Sequence, residues 1–335
     1  MDYNFVASDW PAMSTVIHAD TSYRTYTSGQ DPKALFDKAA RYLSALKETP
    51  RTAEQQAVLL KEIHESIIHA IFGSNAIERA GLSLDATLYL CHKIFQGEYV
   101  PEVDDDGDPD YDTKLLELFS HDETLRSHPR QYVIRGRRET VQHMRAFQHI
   151  IHRFVTLKED MSEDLIKDTH AILCKGVSII DPEYPEVPFE KYAGKYRKVA
   201  VGAGSTMFVT PQFVPAKMTE MCTNLKREIA DGEAQGSMDP FSLASKYSLR
   251  FVEIHPFQDG NGRMCRMILN AILFRYVGIV VSIGEREEDR DEYMNIKIRA
   301  SKNMEGHGEY ATFVLKKGTR VIQKLKQKLQ GKKSS

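Results

Sequence analysis

Cysteine is scarce in this chain and poorly placed for pairing. Four occur in 335 residues, at positions 91, 174, 222 and 265, and none forms a C-x-x-C pair. That spacing excludes a disulfide framework and a zinc ribbon, and it points to a reducing compartment. Long apolar runs are lacking too: no stretch approaches the roughly 18 residues that a membrane span needs. The beginning, MDYNFVASDWPAMS, has neither a basic flank nor a continuous apolar core, so it does not read as a secretory leader. The expected location is the cytoplasm, with the nucleus as the alternative, and no membrane association. An excess of one charge is also missing. Lysine and arginine total 45 against 47 acids, a net charge of −2, which gives no electrostatic reason to expect nucleic acid as a partner. The basic end, Lys316 to Lys333, carries no interleaved aromatics and reads as a solvated helix face.

What is present is ordinary for a globular protein, 41% hydrophobic and 27% charged, and the length suffices for a substantial core. Helical periodicity dominates. A capping-box start at Thr52 and Gln55 opens a helix with apolar Val58, Leu59, Ile63, Ile67 and Ile71, expected to end at Gly73. A run from Glu139 to Val155 is amphipathic; its His149 and His152, three apart, have metal-ligand spacing but read better as core or surface histidines. The acidic EVDDDGDPDYD, residues 102–112, lacks the glycine and glutamate positions of a calcium loop and reads as a solvated connection. Stretches 181–188 and 231–240 look like inter-helix loops. The region 289–313 reads as two helical pieces broken near Gly306.

The most informative segment is HPFQDGNGRMCR, His255 to Arg266. Histidine is the side chain whose ordinary pKa suits a general base near neutrality. Asp259 offers a hard oxygen for a magnesium ion already held by phosphate. Gly260 and Gly262 permit positive φ, so the N–H groups around Asn261 can turn inward as an anion nest. Apolar Cys265, Ile268, Leu269, Ile272, Leu273 and Tyr276 then mark a helix from Met264 onward, placing the loop at a helix N-terminus. Arg263 and Arg266 fall on roughly one face, where both can fork onto phosphate oxygens. Upstream, Asp239-Pro240 is an N-cap and first-turn pair for a helix over Phe241 to Ile254, so a helix, an anion loop and a second helix meet at His255. Phe257 is expected to pin the loop to the core.

This segment resembles the signature of the Fic family, H-x-F-x-[DE]-G-N-G-R-x-x-R, at every fixed position. The resemblance implies a mostly α Fic fold: a helical bundle around a helix–anion-loop–helix site, with a small β-hairpin flap. It implies a nucleotidyltransferase that moves AMP from ATP onto a protein hydroxyl of Ser, Thr or Tyr, on a target or on itself. His255 would be the base and Asp259 the Mg²⁺ ligand. Gly260, Asn261, Gly262 and Arg263 would cradle the transferring phosphate, and Arg266 would hold the γ-phosphate. Two further segments acquire meaning beside it. Ser74-Asn75-Ala76-Ile77-Glu78 is similar to the inhibitory helix [ST]-x-x-x-E-[GN] of Fic proteins that carry it ahead of the core, with Arg79 departing from the last position. There Glu78 pairs with Arg266 and obstructs the γ-phosphate; Arg79 could compete for Glu78 or contact the nucleotide. Gly194-Lys195-Tyr196-Arg197 is similar to the element preceding the flap, which would run over 198–210 as strand, turn and strand. Val201, Gly202, Thr206, Met207 and Phe208 would dock a target segment by strand addition. Arg197 is left open between a structural ion pair and the nucleotide. Tyr293 stands where relatives line the adenine pocket.

The resemblance divides the chain into an N-terminal helical region, 1–135, carrying the inhibitory helix at 74–79, and a catalytic domain, 136–335. It leaves three functions open: an autoinhibited adenylyltransferase; a deAMPylase, alone or bifunctional, in which Glu78 aligns water; and a nucleotide-binding module without turnover. Family members also regulate through dimerisation, so a homodimer is an expected partner alongside ATP.

Overall fold

The computed structural model describes residues 16–25, 31–48, 51–100, 111–181, 183–203, 206–303 and 306–331. Among these the chain forms α1 (Pro32–Glu48), α2 (Ala53–Ile77), α3 (Leu84–Phe95), α4 (Tyr111–His121), α5 (Arg130–Ile151) and α6 (Glu163–Leu173). There follow α7 (Phe189–Tyr192), α8 (Val214–Gln235), α9 (Pro240–Ile254), α10 (Asn261–Val277), α11 (Glu287–Asn303) and α12 (Gly308–Leu329). The strands are short: β1 (Val16–Ile17) lies parallel to β4 (Ser237–Met238), and β2 (Gly202–Ala203) pairs antiparallel with β3 (Thr206–Met207). The fold is thus mostly α with a small hairpin.

Helix α10 sits at the centre. Its residues from Met264 to Phe274 are buried on every side rather than along one stripe, as befits a helix walled in by others. Helix α9 lies along it, α5 and α2 cover other faces, and α12 closes the far side against α9 and α1. One hydrophobic core runs from Phe36 on α1 to Leu325 on α12. Residues on both sides of the division expected near 135 share that core.

Local signals explain the element starts. Thr52 Oγ1 accepts from the Gln55 N–H at 3.2 Å and Gln55 Oε1 accepts from the Thr52 N–H at 3.0 Å, closing the capping box of α2. Asp239 caps α9 by accepting from the N–H groups of Phe241 and Ser242.

Three boundaries differ from expectation. Helix α2 does not stop at Gly73 but continues to Ile77, because Gly73 is used for close packing instead. A Cβ there would lie 2.7 Å from the Ile283 carbonyl oxygen and 2.8 Å from the Glu285 nitrogen. Helix α8 likewise runs through Gly232 to Gln235 and ends at Gly236 (φ 62°), so the expected 231–240 loop shrinks to its second half. Helix α10 begins at Asn261, three residues before Met264. The acidic stretch 102–112 lies outside the described residues except for its last two, where α4 begins. Among the described residues no helix is long and apolar enough to cross a membrane. No group of His, Cys, Asp and Glu among them is placed to hold a metal by itself.

Candidate active site

The loop between α9 and α10 is fixed from both sides. His255 ends α9 in the left-handed region (φ 52°, ψ 60°), and Gly260 caps α10 at φ 74°. Only Gly260 of the two signature glycines needs positive φ. Gly262 is helical, and its requirement is spatial: a Cβ there would fall 1.9 Å from Glu78 Oε1. Asn261 has a structural task as well. Its Oδ1 accepts from the Phe257 N–H at 2.9 Å and its Nδ2 donates one N–H to the Phe257 carbonyl at 2.8 Å, so the amide staples the loop. Phe257 is fully buried and stacks on His170, ring centroids 3.6 Å apart. His170 Nδ1 accepts from the Gly194 N–H at 2.9 Å, which leaves Nε2–H to donate to the Asp259 carbonyl at 2.9 Å.

Arg197, left open by sequence, is a structural clamp. Buried, it donates from Nε to the His255 carbonyl at 2.6 Å, from Nη1 to the Val199 carbonyl at 2.9 Å, and from Nη2 to the Val209 carbonyl. One side chain therefore satisfies a last carbonyl of α9 and ties both stems of the hairpin to it. The hairpin itself is shorter than 198–210 suggested. Val201 precedes β2, Gly202 faces Met207, and Ala203 faces Thr206. Phe208, just past β3, stacks on the His255 ring at 3.8 Å and 12°.

His255 Nδ1 lies 3.2 Å from the Val252 carbonyl; if it carries the proton there, Nε2 keeps its lone pair. Burial pushes the imidazole down to about 4, despite the Val252 bond, with Lys297 and Arg197 acting in the same direction as burial. The ring is consequently neutral across the physiological range.

Below His255 a cavity of about 460 Å³ is lined by Glu78, Phe208, His255, Asp259, Arg263, Arg266, Met294 and Lys297, among others. Arg263 is buried; among the described residues its Nε and Nη1 have no hydrogen-bond partner and are almost closed to solvent, and its Nη2 reaches Asp259 Oδ2 at 3.4 Å. Unmade bonds at buried donors cost about 1–3 kcal/mol each, so the guanidinium keeps largely unspent positive charge beside the cavity. The Asp259 side chain is 40% exposed at the cavity edge and, among the described residues, holds no closer partner, which fits one hard oxygen ligand of a magnesium ion shared with phosphate.

Arg266 is already occupied. It donates from Nε to Ser74 Oγ at 2.8 Å, and from Nη2 to the Ser74 carbonyl at 2.9 Å and to Glu78 Oε1 at 2.7 Å. Burial works against ionising Glu78, but Arg266 foremost, then Arg263 and Lys297, hold its carboxyl below the usual range. The pair is not fully desolvated, since the Glu78 side chain is 36% exposed while that of Arg266 is 3% exposed. Helix α5 anchors the turn that carries Glu78: His143 Nδ1 meets Asn75 Oδ1 at 2.8 Å, and Glu139 Oε2 accepts from the Gly81 N–H at 2.7 Å.

Two expectations need correction here. Tyr293 does not line the cavity. It is fully buried behind Arg266, whose guanidinium carbon is 5.9 Å from the ring centroid, because its ring packs with Tyr310 and Phe313. The cavity wall on α11 is instead Met294, Lys297 and Ile298. Arg79 neither competes for Glu78 nor lines the cavity; it occupies the left-handed position after the end of α2 (φ 53°). Sequence reading also missed His143, Glu139, Phe208's contact and Lys297. The last carried one legible signal: it falls on the α11 stripe with Met294 and Ile298 at spacings of three and four.

The Fic/DOC family model matches residues 160–273. A Fido domain-containing protein of Dictyostelium discoideum is 35% identical over 102 residues, 30% of this chain and 66% of that protein. Protein adenylyltransferase fic-1 of Caenorhabditis briggsae is 33% identical over 98 residues, 29% of this chain and 18% of that protein. The similarity thus spans just under two thirds of the first relative and under a fifth of the second. Among solved structures, Fic-1 from C. elegans superposes with a TM-score of 0.63 at 19% identity, covering 90% of this chain and 73% of that one. A Fic domain containing signaling protein from Bacteroides thetaiotaomicron gives 0.62 at 18% identity, covering 91% and 100%. These two likenesses establish a shared fold. The signature at 255–266 lies inside the matched segment, so residues 160–273 carry a Fic/DOC domain.

Proposed function

We propose that the protein transfers AMP from ATP to a hydroxyl side chain of a protein target and is held in check by Glu78. The observation that carries this reading is the lining of one cavity by a neutral imidazole at His255 together with Asp259, Arg263 and Arg266. In the proposed step His255 Nε2 takes the proton of the attacking hydroxyl. The hydroxyl oxygen bonds to the α-phosphorus as the bond to the bridging oxygen breaks, and pyrophosphate leaves. Arg263 and the N–H groups at the start of α10 stabilise charge on the transferring group, in a site where alignment and electrostatics supply most of the acceleration. Magnesium, held by Asp259 and the phosphates, would neutralise the leaving group.

The Glu78–Arg266 bond supports the brake, because a triphosphate reaching for Arg266 must displace that carboxylate. A fully buried pair would resist by about 3–5 kcal/mol; with Glu78 a third exposed, about 2 kcal/mol is the better figure after solvent screening. That corresponds to a suppression of about 30-fold. Glu78→Gly is expected to raise incorporation of label from α-phosphate-labelled ATP by about that factor, and His255→Ala in the same background to abolish it. No gain in Glu78→Gly removes the autoinhibition; undiminished transfer in the double variant removes the chemistry.

A second reading rests on one detail. Arg266 engages Oε1 of Glu78, and Glu78 lines the cavity, where the other carboxylate oxygen could orient water against an AMP-modified side chain. Release of AMP from a modified client by the wild-type protein, lost in Glu78→Gln, is its test.

A further inference from the structure

We infer that Lys297 is a donor-binding residue, the third cation of the polyphosphate site, and that it selects a triphosphate over shorter phosphates. This rests on the adenylyltransferase reading above and specifies what its cavity takes. The lysine lines the cavity beside Glu78, Arg263 and Arg266. Among the described residues no carboxylate lies within ion-pair distance of it. Its Nζ instead donates to the Tyr293 hydroxyl at 3.1 Å, sits 4.9 Å from that ring's centroid, and reaches Cys265 Sγ at 4.0 Å. Tyr293 is fully buried, so the ammonium is propped on a fixed aromatic support. It lies near enough to Glu78 and His255 to act on the charge of both. A lysine on a free surface would spend its charge on water; this one faces two arginines that repel it.

The arrangement makes electrostatic sense with a ligand present. Once Glu78 moves aside, Arg263, Arg266 and Lys297 stand against the single carboxylate of Asp259, leaving two net positive charges around the cavity. Magnesium-bound ATP carries about two net negative charges, and magnesium-bound ADP about one, counting ionised phosphates around a divalent ion. Without Lys297 one net positive charge remains, which weakens the attraction for the triphosphate more than for the diphosphate. With Glu78 in place the count also drops by one, so Glu78 opposes the triphosphate by charge as well as by occupying Arg266.

Calorimetric titration of the full chain carrying Glu78→Gly tests this without turnover. Magnesium-ATP, magnesium-ADP, inorganic tripolyphosphate and adenosine are each titrated, with and without Lys297→Ala, Lys297→Met or Lys297→Arg. Loss of one charge-assisted contact should weaken ATP and tripolyphosphate about tenfold in the Ala and Met variants and narrow the preference for ATP over ADP. Adenosine should bind equally to all, and Lys297→Arg should restore ATP. Equal losses for adenosine and ATP, or no loss in either neutral variant, overturn the inference. Unfolding of Lys297→Ala leaves Lys297→Met, whose chain fills the same space, to decide. A Glu78→Gly parent that binds no ATP overturns the functional reading itself, and this inference with it.

Discussion

Two helix ends meet at the cavity, and they are built differently. The N-terminus of α10 is over-determined: Asn261 staples it, Gly260 turns it, Phe257 and His170 stack beneath it, and Arg197 ties the preceding residue to the flap. The C-terminus of α2 holds the opposing carboxylate by a single oxygen, on a turn whose next residue is a left-handed arginine. Helix dipoles sharpen the contrast. Glu78 stands at the unfavourable negative end of its own helix and the favourable positive end of α10. The position of Glu78 is therefore one that can be left. On the proposed reading, chemistry sits at the stapled end of α10, and regulation needs only the Glu78 carboxylate to swing away from a turn that α5 keeps in place.

The largest way to break this comparison is to loosen the rigid end. Arg197→Ala leaves the part-buried carbonyls of His255, Val199 and Val209 without their donor and empties the space of a buried side chain. A loss of about 2 kcal/mol in stability is expected. Denaturant unfolding measures it. If Arg197→Ala unfolds at the wild-type midpoint, the catalytic end is not rigid for the reason given.

A middling effect concerns His255 and its cover, Phe208. The folded pKa is depressed to about 4, so the imidazole stays a neutral base as pH falls, well past its ordinary value. The acid limb of kcat/KM should therefore lie below about pH 5 rather than near 6.5. The linked stability term has the matching sign: it is present above the unfolded pKa and is lost as pH falls toward the folded one. Phe208→Ala uncovers one face of the ring and should move the limb upward by about half a unit to one unit. Proton resonances of the imidazole, followed through titration, report this independently of turnover. A limb near 6.5 in the wild-type protein would contradict the depression.

How much of this was legible in the sequence follows from where the determinants lie. The signature residues are contiguous, and a helix–loop–helix fixes its own geometry, so His255, Asp259, Arg263 and Arg266 could be placed together before any fold was known. Glu78 and Arg266 lie 188 positions apart, and only the resemblance joined them. What could not be read were contacts made across the core. The Gly73 packing that lets α2 run past its expected stop depends on Ile283 and Glu285, and the burial of Tyr293 depends on Tyr310 and Phe313. Local rules gave Gly262 a torsional role because glycine in a loop is usually torsional; the true constraint is a carboxylate from another helix.

The smallest effect sharpens the comparison most. Position 79 is held in the left-handed region, where a side chain costs about 1 kcal/mol relative to glycine, and that makes physical sense of the Gly or Asn in the inhibitory pattern. Arg79 is exposed and does not line the cavity beside His255, so what it changes is backbone strain at the end of α2, immediately beside the Glu78 carboxylate. Arg79→Gly should relieve strain while loosening the unfolded chain, and Arg79→Asn should relieve strain with less of that offset. Stabilisation of about 0.5 kcal/mol is expected for Asn and somewhat less for Gly. Because the relief favours the turn that presents Glu78, basal AMP transfer should fall about twofold in Arg79→Asn, while the Glu78→Gly background should show no change from the same substitution. A twofold fall in both backgrounds would mean that position 79 acts on the nucleotide directly, and the α2 end would then hold more than its one carboxylate.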